Sequence, residues 1–134
     1  MEAVIGIVLA IAVGLLLSWV GMDRERGLYP TLMIVIASYY VLFAVLGKSP
    51  GSQLVESSIF LLFLASAILG FRSSLWLVVL ALAGHGVFDL VHGQLVDNPG
   101  VPGWWPAFCA AYDIAAAGYL GWLLSSGRVP ARSP

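Results

Sequence analysis

Charge is scarce in this chain. Asp, Glu, Lys and Arg make up 10% of its 134 residues, against 60% hydrophobic residues. A water-soluble domain of this size cannot bury so much apolar side chain, and its surface needs far more charge. The shortage points to lipid as the solvent. Formal net charge is −1, which leaves no basic footprint for nucleic acid. Cysteine occurs once, at Cys109, so an internal disulfide and a multi-cysteine metal knuckle are both excluded. Lysine occurs once, at Lys48 in a link, so no retinal Schiff base can form on a helix. The N-terminus begins Met-Glu-Ala without a basic n-region, and no A-x-A site follows the first apolar run. That run is therefore expected to be a helix of the mature protein.

What the chain does have is apolar length. Five runs, near 3–20, 29–47, 53–71, 74–96 and 104–125, are long enough to cross roughly 30 Å of hydrocarbon. The links between them are short and mostly carry Gly or Pro, which forces successive helices to run antiparallel as neighbours. The expectation is an all-α fold: a polytopic integral membrane protein, one domain over 1–134, built as a five-transmembrane-helix antiparallel bundle. With five spans, Arg24, Arg26, Arg72, Arg128 and Arg132 fall on one side and Lys48 alone on the other. The positive-inside rule then puts the N-terminus outside and the C-terminus in the cytoplasm, across a plasma (inner) membrane.

Inside these runs lie five ionisable groups: Glu56, His85, Asp89, His92 and Asp113. An aspartate at a helix centre costs about 2.5–3.5 kcal/mol on insertion scales. That cost persists only where the group is paired, hydrated or bound to an ion. At the ordinary helical rise, all five groups fall in the outer half of the bilayer, from three different helices. This coincidence of depth predicts one shared site that opens outward.

Direction supports the same reading. His85, Asp89 and His92 stand at i, i+4 and i+7, one stripe of the fourth helix. Cys109, Asp113, Ala117 and Gly121 repeat every four residues on the fifth, and Tyr40 shares a small-residue face of the second with Ala37 and Ala44. Tyr40 and Cys109 are thus expected beside the site. The first helix has no ionisable group in its core. Its Gly6, Ala10 and Gly14 read as a packing face or as the face of a homodimer.

Histidine and carboxylate at i and i+4 can grip one ion. The predicted ligand set is His85, Asp89, His92, Glu56 and Asp113, a set that suits zinc first and iron or manganese next. His85 and His92 are about 10.5 Å apart along the axis, a strain for a single ion. Either one histidine stands behind the other, or Asp89 bridges two ions. Whichever of Asp113 and Glu56 is not a ligand is a candidate general base. A metal with an open position activates water or polarises a carbonyl, which makes the protein a candidate membrane hydrolase; iron would make it an oxidoreductase. The substrate would be lipid-like, or a small extracytoplasmic molecule reached past Trp104 and Trp105. Two other readings use the same residues: a proton- or ion-coupled path, and polar contacts that only hold an accessory subunit together. A haem clasped by both histidines is excluded, because His85 and His92 share one face of one helix.

The piece GHGVFD, residues 84–89, carries the spacing H-x-x-x-D. It resembles one motif of the alkaline ceramidase and adiponectin receptor group of intramembrane zinc hydrolases. The resemblance covers five positions. That group has seven helices and a further H-x-x-x-H pair, which this chain lacks, so neither its fold nor its substrates are implied here.

Overall fold

The computed structural model describes residues 1–132. Five helices run Glu2–Val20 (α1), Leu28–Leu46 (α2), Pro50–Arg72 (α3), Trp76–Leu95 (α4) and Trp105–Ser125 (α5). The chain is 80% helical, with no strand among the described residues. Each helix is long and apolar enough to cross a membrane.

Local chemistry explains the ends. α1 stops at Gly21, whose φ of 86° is left-handed and whose N–H donates back to the Leu17 carbonyl. α3 begins three residues earlier than its apolar run. Ser49 caps it by accepting from the Ser52 N–H at 3.4 Å, and Pro50 fills the first turn, where no N–H is needed.

Contacts between helices fix their directions. Glu56 of α3 meets His92 of α4, while Gly70 of α3 lies against Val78, so these two run oppositely. His85 of α4 meets Asp113 of α5, while Gly121 of α5 lies near Trp76, so these do too. On α1, Gly6 abuts Phe108 and Tyr112, and Gly14 abuts Tyr119, so α1 runs parallel to α5. That is the geometry of a chain that reverses at every link.

The stripe on α1 is a packing face. A Cβ at Gly6 would strike the Phe108 carbonyl, and Gly6, Ala10 and Gly14 are all buried. Small residues let the two backbones touch. Of the two expectations for this stripe, the packing face is the one seen within the chain, filled by α5. Ser18 continues the stripe, bonding Asp23 at 2.5 Å and the Tyr119 hydroxyl at 2.6 Å.

The distribution of polarity is the reverse of a water-soluble bundle. Val4, Val8, Leu15, Leu16, Leu61 and Leu62 are exposed, whereas Glu56, His85, Asp89, His92 and Asp113 are each 2% exposed or less. Met33, Val78, Leu82, Leu120 and Leu123 fill an apolar core. The ionisable groups sit between this core and the α4–α5 link.

Candidate metal centre

α4 presents His85, Asp89 and His92 inward along one stripe. α5 comes close to that stripe because position 86 is glycine. A Cβ there would lie 3.0 Å from the Ala110 carbonyl oxygen and 3.3 Å from Asp113 Cβ. With no side chain in the way, Asp113 reaches His85: Nδ1 to Oδ2 is 2.6 Å. The same Nδ1 is 3.6 Å from Asp89 Oδ2. Cys109, one turn before Asp113, places Sγ 4.0 Å from Asp113 Oδ2. Donor atoms of His85, Asp89, Cys109 and Asp113 all lie within 4.8 Å of one another.

This first group is incompletely bonded. Both oxygens of Asp89 and Oδ1 of Asp113 are buried without a hydrogen-bond partner. No lysine or arginine is buried among the described residues, so no fixed cation offsets these carboxylates. An ionised carboxylate in such surroundings is costly unless a cation or proton joins it.

Glu56 and His92 form a second group. His92 Nε2 lies 2.7 Å from Glu56 Oε1, and the Asn98 amide donates to the same oxygen at 2.9 Å. Asn98 also donates to the Tyr40 carbonyl at 3.1 Å. Gly100 follows it into the bundle, so close to the Phe43 carbonyl that no Cβ fits. Tyr40 separates the two groups. Its ring stacks on His92 with centroids 3.9 Å apart and planes 11° from parallel, and its centroid is 6.0 Å from that of His85. Its hydroxyl is buried without a partner.

The five residues expected at one site are therefore all buried, but in two clusters. His85, Asp89 and Asp113 come together and take Cys109 with them. Glu56 and His92 pair with each other outside that four-donor group. Nor is the site open at the α4–α5 link, since all five side chains are buried. The α4–α5 link folds over Glu56 and His92 and inserts Asn98 there. Trp105, expected beside an entrance, packs on Tyr39 and Phe43 at 5.0 Å each, while Trp104 stays exposed. Asn98 was not foreseen, because an Asn-Pro pair in a link reads as turn chemistry. Phe63 and Phe88, which wall the histidines at 4.8 and 5.3 Å, read as ordinary apolar positions.

The four donors fit a tetrahedral ion with modest adjustment. Bonds of about 2.0–2.3 Å place tetrahedral donors about 3.3–3.8 Å apart. The His85–Asp113 separation of 2.6 Å would open, and the Cys109–Asp113 separation of 4.0 Å would close slightly. One nitrogen, one sulfur and two carboxylates form a mixed set that a borderline-soft divalent ion accepts. Comparison with protein families, with characterised proteins and with solved structures returns no match for this chain.

Proposed function

We propose that the chain is an integral membrane metalloprotein, a five-span antiparallel bundle with its N-terminus outside the plasma membrane. His85, Asp89, Cys109 and Asp113 hold one divalent ion, zinc in the first instance and iron or manganese next. The observation that carries this reading is Asp89. Its carboxylate is buried at 1% exposure, neither oxygen has a hydrogen-bond partner, and no fixed cation accompanies it. An ion among the four donors satisfies Asp89, the free oxygen of Asp113 and the Cys109 thiolate together.

The chemistry proposed is hydrolysis. A bound divalent ion acidifies water and polarises a carbonyl. Hydrolysis would need a position for water beside the four donors, as in sites that expand to five-coordinate. Asp113 would bind the ion through one carboxylate oxygen and, on the oxygen left free, take a proton from water and return it to the leaving group. Glu56 is held by His92 and Asn98 and serves in this account to latch the outer link rather than as a base.

Elemental analysis of the purified protein tests this. About one ion per chain is expected, with loss on Asp89→Ala. Ion-free wild-type protein overturns the proposal.

A second reading has its own support. The pairs His92–Glu56 and His85–Asp113 stand on either side of Tyr40, an arrangement suited to passing protons inward. It requires ion-free protein in which Asp89→Asn abolishes proton flux in liposomes.

A further inference from the structure

The four-donor group is buried, yet one of its members, Cys109, also borders an apolar groove on the side of the bundle. α1 lies against α5 and makes little contact with α2. Between α1 and α2, floored by α5, runs an apolar groove of about 210 Å³. Leu9 and Val13 form one wall, Val35 and Tyr39 the other, and Trp105 and Cys109 lie on the floor. Leu9 and Val35 are exposed and continue the leucine- and valine-covered outside of the bundle. Cys109 belongs both to this floor and to the donor group.

We propose that this groove takes one acyl chain of a bilayer amphiphile. The substrate class of the metal centre is then a lipid whose cleavable carbonyl linkage lies just beyond the first methylenes of that chain. The inference rests on the metal reading above.

Three observations commit the groove to this occupant. Its lining is almost wholly apolar, and it is continuous with the face that meets bilayer chains. Its size is that of a chain segment: with about 30 Å³ per water-sized unit, it holds about seven such units, and the rest of the lipid stays in the bilayer. Trp105 lies at the end of the groove where α5 begins. Trp105 Nε1 is buried without a hydrogen-bond partner, and a small turn of the indole would let it donate to an ester or headgroup oxygen. Trp105 opens α5, where tryptophan marks the membrane interface. Cys109 lies one turn deeper, about 6 Å along the axis. That is the depth at which a lipid's linkage follows its headgroup.

Cys109, the chain's one cysteine, provides the readout. The protein in phosphatidylcholine vesicles is treated, after removal of metal by chelator, with dodecyl methanethiosulfonate dissolved in the bilayer. A parallel sample receives the charged trimethylammonium-ethyl reagent from the water. Modification is counted by intact mass. The dodecyl reagent is expected to modify Cys109 and the charged reagent to leave it free. Val35→Trp, which fills the groove from its lipid-exposed wall, is expected to slow the dodecyl reaction by about tenfold or more. Leu9→Trp does the same from the opposite wall if the first variant does not fold. Equal reaction with the charged reagent, no reaction with the dodecyl reagent, or a wild-type rate in the filled variants overturns the inference. Ion content before chelation separates the two readings. Filled variants that hold the ion and still react at the wild-type rate remove the groove alone. Ion-free wild-type protein with chain-selective modification removes the metal centre and leaves the groove.

Discussion

His85 and Asp113, 28 residues apart in sequence, meet inside the bundle with Nδ1 2.6 Å from Oδ2. Their contact joins α4 to α5 at the point where Gly86 lets the two backbones approach. Every other feature of the candidate centre is arranged around it.

Removing one member of this pair leaves the other buried and alone. His85→Ala is expected to lower stability by about 3–5 kcal/mol, the usual cost of breaking a buried pair from one side. Asp113→Asn keeps a polar partner for the imidazole and is expected to cost less. Thermal unfolding of both variants in the same detergent checks the order.

Glu56 lies outside the four-donor group, so its replacement separates latch from centre. Glu56→Gln is expected to keep the bound ion, while Glu56→Leu, which strands the His92 imidazole and the Asn98 amide, costs about 1–3 kcal/mol. Ion content and unfolding midpoints measured on the same preparations decide this. Loss of the ion in Glu56→Gln would return Glu56 to the ligand set.

Gly6 on the α1 stripe contrasts with Gly93 on α4. Gly6→Ala drives a methyl group into the Phe108 carbonyl and is expected to destabilise by about 1–3 kcal/mol. At Gly93 an added Cβ meets nothing within 4 Å, so Gly93→Ala is expected to be neutral, or to stabilise by up to about 1 kcal/mol through helix propensity. Unfolding of the two variants side by side, in the same lipid or detergent, tests whether this face is filled by α5.

Orientation is open to a labelling test. In a Cys109→Ala background, Ser49→Cys is expected to react with an impermeant maleimide added to intact cells. Ser126→Cys is expected to react only after lysis. The opposite pattern would reverse the topology drawn from the arginines.

Much of this architecture was legible in the sequence because the signals are long or strictly spaced. Five apolar runs gave five helices, and the start of α3 moved furthest, from 53 to Pro50, where Ser49 and Pro50 supply a start that hydropathy does not register. The i, i+4, i+7 spacing put His85, Asp89 and His92 on one buried face. Depth, however, is one coordinate. It brought Glu56 and His92 level with the others but could not show Tyr40 standing between the two groups. Nor could it show that the link folds back to insert Asn98, since that depends on the gap left by the glycines at 47 and 100. Cys109 was visible as a neighbour of Asp113 on its stripe. Its approach to His85 and Asp89 depends on how closely α5 lies on α4.

X-ray absorption at the edge of the bound metal tests the central claim most directly. The account expects one sulfur at about 2.3 Å, with the remaining nitrogen and oxygen donors at about 2.0–2.2 Å. The sulfur contribution should vanish in Cys109→Ser. A wild-type spectrum with no sulfur donor, or no metal to absorb, would contradict the assignment of His85, Asp89, Cys109 and Asp113 as one centre.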